Sequence, residues 1–170
     1  MVIVLMGVSG SGKTTVGQML AERLGCGFSD ADSFHPPANV AKMRAGSPLT
    51  DEDRWPWLQA LRAAIEEWQA EGRDHVLACS ALKQVYRDVL SPEGDVIFVY
   101  MKGTAEVIAP RLNARSGHYF NPSLLASQFA ALEEPADAFV VDIGEPPEAI
   151  VSTIVTRLRS GTPDPVKPLP

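Results

Sequence analysis

VIVLMGVSGSGKTTVGQML, residues 2–20, is the stretch that decides the fold class of this chain. The apolar run Val2 to Met6 leads into the glycine-rich octet Gly7 to Thr14, and Val16, Met19, Leu20 and Leu24 then recur at helical spacing. Strand, GVSGSGKT loop and helix in that order satisfy G-x-x-x-x-G-K-[ST] in the context that gives the pattern its meaning. Glycines let backbone N–H groups turn toward a phosphate without steric cost, and the helix behind them presents its positive end. Gly7, Ser9, Gly10, Ser11 and Gly12 therefore read as an anion cradle, with Thr15 beside it. Lys13 should reach the β- and γ-phosphates of a bound nucleotide, and the Thr14 hydroxyl should ligand the Mg²⁺ bridging them.

Working outward, further apolar runs lie at Gly27 to Phe28, Val76 to Cys79, Val96 to Met101 and Phe139 to Ile143. Helical repeats separate them, among them Leu58, Leu61, Ile65 and Trp68, and then Ile150, Val151, Ile154 and Leu158. Five short runs alternating with amphipathic helices predict a βαβ architecture, and their near-continuous apolarity predicts parallel strands covered on both faces. Pro110 falls inside the helical segment Ala105 to Arg115 and predicts a kink there. Residues 1–159 read as one domain, whereas 160–170, with prolines at 163, 165, 168 and 170, have little to bury and are expected to be disordered.

The chain has 170 residues, 45% of them hydrophobic and 21% charged, enough for a full core without a disulfide or metal staple. Cys26 and Cys79 lie in no ligand spacing and read as reduced thiols. Val2 to Met6 has no basic region before it and is no signal peptide, and no run reaches the roughly 20 residues of a membrane span, so a soluble cytoplasmic protein is expected. The net charge of −6 argues against a nucleic-acid binder, although a local group of cations can still make one cleft positive.

The loop alone leaves GTPase, motor, ATPase and small-molecule kinase open. No N-K-x-D tetrapeptide for guanine is present and the chain is short for a motor, so a small-molecule kinase leads. SDADSFHP, Ser29 to Pro36, follows the second run at a strand end, where open α/β sheets bind ligands. Asp30 and Asp32 alternate, so in an extended stretch only one would face the phosphates while the other serves the fold or the metal shell. One of them could accept or orient the proton of an acceptor hydroxyl, and a polar turn capping the next helix explains the same residues. His35, before two prolines, reads either as a loop residue or as a substrate contact.

GSPLTDEDRWPWL, residues 46–58, has the makings of an N-capped helix start that accounts for Thr50, Asp51 and Trp57 but does not require Arg54. A guanidinium suits a carboxylate, and a solvated arginine is the plainer alternative. In CSALKQVYRD, Lys83 and Arg87 stand four apart, on one helical face, to meet an anionic ligand or to pair with Asp88 or Glu93. RLNARSGHYF puts Arg111 and Arg115 four apart before a Ser-Gly hinge and His118, as in a helix feeding a lid around 115–122, or as in a plain surface helix.

In this order GVSGSGKTT, DADSFHP, NVAKMRAGSPLTDEDRWPWL, CSALKQVYRD, RLNARSGHYF and LLASQFAALEEP resemble the gluconate kinase family over about residues 2–158. The resemblance implies a three-layer α/β/α P-loop kinase fold, a five-stranded parallel sheet in the order 2-3-1-4-5 and a lid. It further implies ATP- and Mg²⁺-dependent phosphorylation of the 6-hydroxyl of D-gluconate, commonly by a homodimer. On matching positions it makes Lys13 and Thr14 the ATP and Mg²⁺ contacts, Asp32 the group that activates the acceptor, and Asp30 part of the metal shell. Arg54, Lys83, Arg87 and His118 become contacts of gluconate or the transferred phosphate, and Arg111 and Arg115 serve the ATP side of the lid. The stretch Asp142 to Pro147 stands where related kinases hold adenine. Ala31 departs from the glycine often found there, and Pro110 interrupts the helix leading to the lid.

Overall fold

A computed structural model describes residues 1–45, 47–114 and 122–160. Its elements are β1 (Val2–Met6), α1 (Lys13–Leu24), β2 (Gly27–Asp30), a 3₁₀ turn (Ala31–Phe34), α2 (Pro37–Arg44), α3 (Asp51–Ala70), β3 (His75–Ala78), α4 (Gln84–Leu90), β4 (Val96–Lys102), α5 (Ala105–Ala114), α6 (Pro122–Ala131), β5 (Phe139–Asp142) and α7 (Pro147–Ser160). The sheet runs β2-β3-β1-β4-β5 with every pair parallel. Both the strand count and the order implied by the resemblance are therefore found.

All five residues of β1 are buried, because the central strand is covered on both faces. Alternation sorts them into two cores. Ile3 and Leu5 join Val16 and Leu20 of α1, Ile108 of α5 and Ile150 and Ile154 of α7. Val2, Val4 and Met6 join Trp57, Leu58, Leu61 and Ile65 of α3 and Leu90 of α4. The helical stripes read from the sequence are the ones that close the three layers.

The chain's turns follow local chemistry. Gly12 caps α1 at φ 92, a left-handed conformation costly for any side chain, so α1 starts at Lys13 with its first amides facing the loop. Thr50 and Asp53 form a capping box at α3, the helix start expected there. α5 continues through Pro110, which lies on its exposed face, to Ala114. Ser160, expected to open the tail, instead ends α7, its hydroxyl donating to the Arg157 carbonyl at 3.0 Å; residues 161–170 lie outside the described ones. Both cysteines are free thiols, and burial pushes that of Cys79 up to about 12. No helix among the described residues is long and apolar enough to cross a membrane.

At the opposite end of the sheet from the glycine loop, His75 stacks on Trp68 with centroids 3.7 Å apart, and its Nε2 lies 2.9 Å from Ser29 Oγ. A Cβ at Gly27 would sit 2.4 Å from its ring, so Gly27 is the residue that lets β2 pass. Burial pushes the imidazoles of His75 and His35 below their ordinary value, with Arg73 and Arg54 respectively adding to the effect and Asp32 opposing it at His35. The unfolded chain then binds more protons, so stability is full above about pH 6.5 and falls as pH drops through the lowered native values. Urea midpoints are expected to decrease from pH 7.5 to pH 5.5, and less so in His75→Phe. Equal midpoints in the wild-type chain would show that neither ring resists protonation.

Candidate functional site

The chemistry-bearing residues gather at the carboxyl ends of the strands, where the crossover on either side of β1 opens a crevice. The Gly7 amide donates to the Ser80 carbonyl at 3.1 Å, tying the glycine loop to the segment after β3. Lys13 Nζ donates to the Gly7 and Val8 carbonyls at 3.0 and 2.9 Å, so the ammonium is held across the loop that begins its own helix. A Cβ at Gly10 would lie 2.6 Å from Leu112 Cγ, which makes this glycine the point where α5 packs on the loop.

Thr14 donates its hydroxyl proton to Asp30 Oδ2 at 2.9 Å, and Asp30 Oδ1 accepts from the Asp32 amide at 3.1 Å. The extended reading of this stretch needs correction. Residues 31–34 form a 3₁₀ turn capped by Asp30, so Asp30 and Asp32 do not alternate across a strand. The capping and site readings of Asp30 are compatible, because one oxygen serves the turn and the other faces Thr14. Asp32 lies exposed on that turn.

A second group assembles where α3 and α4 begin. Lys83 Nζ donates to both Asp51 oxygens, at 2.9 and 2.8 Å, and the Tyr86 hydroxyl donates to Asp51 Oδ1. Arg54 donates to the Leu49 carbonyl at 2.6 Å and lies 3.8 Å from Asp51 Oδ1. Both cations also face the Tyr86 ring, at 5.6 Å for Lys83 and 5.9 Å for Arg54. The Lys83 ammonium, then Tyr86, holds the Asp51 carboxyl below its usual range. His35 stacks on Trp57 with centroids 4.5 Å apart, and Trp57 Nε1 donates to the Ala31 carbonyl at 2.7 Å, joining this group to the Asp30–Asp32 turn. His35 feels both Asp32 and Arg54.

Arg87 does not share a helical face with Lys83, because α4 starts after Lys83, whose backbone is extended. Arg87 is instead buried, 3% exposed, and donates to the carbonyls of Ala81 and Leu82 at 2.9 and 3.1 Å and to Gln84 Oε1 at 2.7 Å. It braces a loop in which Ala81 adopts φ 43. Neither Asp88 nor Glu93 is its partner in these bonds.

A cavity of about 370 Å³ lies on the other side of the glycine loop, lined by Gly10, Ser11, Gly12, Thr15, Val16, Arg111, Glu145, Pro147 and Ile150. It joins the cradle to the stretch after β5, and Arg111 bridges the two by donating to the Ile143 carbonyl at 2.7 Å. Ser11 Oγ is buried without a hydrogen-bond partner there. Arg115, His118 and all of the expected lid but residue 122 lie outside the described residues.

The hydroxyl of Thr14 beside the Asp30 carboxylate is a hard, oxygen-only donor pair of the kind that Mg²⁺ shares with phosphate oxygens. Among the described residues no group of three or more His, Cys, Asp or Glu could cage a metal by itself. Sequence reading passed over three residues. Asp51 was accounted for as a helix-start residue, Tyr86 lay unremarked between Lys83 and Arg87, and Gln128 lay in LLASQFAALEEP without a role. Gln128 Oε1 accepts from the Ser9 amide at 2.6 Å and its Nε2 donates to Ser9 Oγ at 2.9 Å.

Comparison with known proteins agrees with this arrangement. The shikimate kinase family model matches residues 9–159. The chain is 45% identical over 166 residues to the thermoresistant gluconokinase of Escherichia coli K12, covering 94% of each chain. Among solved structures it resembles a sugar kinase from Janibacter sp. HTCC2649 (TM-score 0.85, 45% identity, 94% of this chain and 95% of that one) and a gluconokinase from Sinorhizobium meliloti 1021 (TM-score 0.78, 41% identity, 94% and 96%). Phosphate cradle, strand-end carboxylates and likeness over 94% of the chain converge on one assignment: the chain is a kinase and belongs to the gluconokinase family of P-loop proteins.

Proposed function

We propose that this enzyme transfers the γ-phosphoryl group of ATP to the 6-hydroxyl of D-gluconate, giving 6-phospho-D-gluconate and ADP. The observation that carries the reading is the 45% identity to a gluconokinase across 94% of both chains, which spans the glycine loop and the Arg54–Lys83 group alike. In the transfer the acceptor oxygen bonds to the γ-phosphorus, the bond from that phosphorus to the β,γ-bridging oxygen breaks, and the hydroxyl proton passes to Asp32. Asp32 is suited to this because its turn, which follows β2, is pinned by Asp30 while its own carboxylate stays exposed.

The amides at the start of α1, from Gly12 to Thr15, cradle the phosphates, Lys13 offsets their charge, and Arg111 lies on the nucleotide side. Thr14 and Asp30 would hold Mg²⁺, which when bound neutralises charge on the β- and γ-phosphates. Lys83 and Arg54 receive the gluconate carboxylate, with Asp51 keeping both cations aimed beforehand, and His35 borders the sugar chain. We also assign Arg115 and His118 to the phosphoryl and substrate sides of a lid, residues 1–159 to one kinase domain, and the enzyme to the cytoplasm as a homodimer. The lid roles and the homodimer follow the family's pattern.

A shikimate-like acceptor is the second reading, favoured by the family model that matches residues 9–159. ADP release with MgATP and a panel of gluconate, other sugar acids, shikimate, nucleoside monophosphates or water separates the two. Turnover confined to gluconate is expected, with Lys83→Met raising KM for gluconate by about tenfold or more and KM for ATP little, as befits a lost ion pair to the acceptor. Faster turnover of shikimate would overturn the assignment.

A further inference from the structure

We infer that Gln128 is a positioning residue for phosphoryl transfer, which fixes the tip of the glycine loop through Ser9 so that the loop discriminates a triphosphate from a diphosphate. The inference rests on the nucleotide half of the proposed function and not on the choice of acceptor. Ser9 is the third residue of GVSGSGKT and stands between the turn at Gly7 and the packing point at Gly10. Its amide and its hydroxyl both end on the same carboxamide, at 2.6 and 2.9 Å, from a helix 119 residues away in sequence. A glutamine can accept from an N–H and donate to a hydroxyl at once, which an alkyl chain of equal size cannot.

The rest of the motif anchors that helix. Leu125 is buried in the core shared with α1 and α5, and Phe129 packs against it. Past the helix end, the Glu133 amide donates to the Leu82 carbonyl at 2.9 Å and the Glu133 carboxylate accepts from the Gln84 amide at 2.5 Å. Glu134 accepts from Lys102 Nζ at 2.9 Å. LLASQFAALEEP is thus a strap that touches the glycine loop at one end and the segment after β3 at the other.

Among the described residues, Lys13 holds the loop through the Gly7 and Val8 carbonyls and Gln128 holds its tip through Ser9. When Lys13 turns to the phosphates its hold on those carbonyls loosens, and Gln128 then remains to keep the tip in place. Ser9 stands four residues ahead of Lys13 and so lies toward the γ end of the nucleotide, whereas the β-phosphate rests on the amides at the start of α1.

Calorimetric titration of Gln128→Ala with ADP and with a non-hydrolysable ATP analogue tests this without any acceptor. The analogue is expected to bind about 5- to 10-fold more weakly and ADP within about 2-fold of wild type, with the thermal midpoint nearly unchanged. In the gluconate assay kcat should fall by about tenfold or more. Ser9→Ala, which removes only the hydroxyl contact, should have a smaller effect and add nothing to Gln128→Ala. Equal losses for both nucleotides, or unchanged binding of the analogue, would overturn the inference. Failure of the wild-type chain to phosphorylate gluconate would remove the acceptor assignment and leave the titration to decide Gln128.

Discussion

Asp32→Asn is expected to lower kcat with gluconate by about 10²- to 10⁴-fold while the affinity for ATP stays within about threefold, the range lost when a positioned general base is removed. The substitution keeps the size of the side chain and the backbone amide that donates to Asp30, so the 3₁₀ turn survives. What it removes is an exposed carboxylate on the turn after β2, close enough to His35 to act on its proton affinity. An amide cannot take the acceptor proton, though it can still orient the hydroxyl. Initial rates over a gluconate series, with ADP affinity measured alongside, separate the two roles. If kcat stays within a few-fold of wild type, Asp32 only orients the hydroxyl and the proton leaves without it.

The contrast between Asp30 and Asp32 shows where sequence reading reached its limit. Alternation along a strand separates two carboxylates only while the strand lasts, and here it stops at Asp30 because that side chain caps the following turn. Likewise the four-residue spacing of Lys83 and Arg87 implies a shared face only inside a helix. Lys83 stands at the cap, so its side chain leaves toward Asp51 while that of Arg87 turns back under the loop. Both misreadings come from local rules applied across an element boundary, which sequence periodicity locates least well.

Elements fixed by periodicity were legible. The apolar stripes of α1, α3 and α7 are the ones that cover β1, and the glycine loop lies between a strand and a helix as its spacing requires. Long-range side-chain pairs were not. Gln128 meets Ser9 across 119 residues and Lys83 meets Asp51 across 32, and no pattern within either segment names its partner. Asp51 was hidden for a further reason, since an acidic residue in the first turn of a helix already has an explanation there. A site residue that also satisfies a local rule leaves no residual signal.

Lys13→Ala is expected to cost about 10³-fold or more in kcat/KM, because it removes a cation from phosphates whose charge shifts as the phosphoryl group moves. In this structure the ammonium also holds two loop carbonyls, those of Gly7 and Val8, so the loss is not electrostatic alone. Lys13→Arg separates the two contributions. It keeps the charge, but a planar guanidinium cannot donate from one small centre to both carbonyls and then to phosphate. If the compact geometry matters, the arginine variant recovers little of kcat, while its affinity for ADP exceeds that of the alanine variant through charge alone. Steady-state kinetics and ADP titration on the two variants read this directly. Near-complete recovery by arginine would mean that charge suffices, and that the loop takes its shape from its glycines and from Gln128 without help from Lys13.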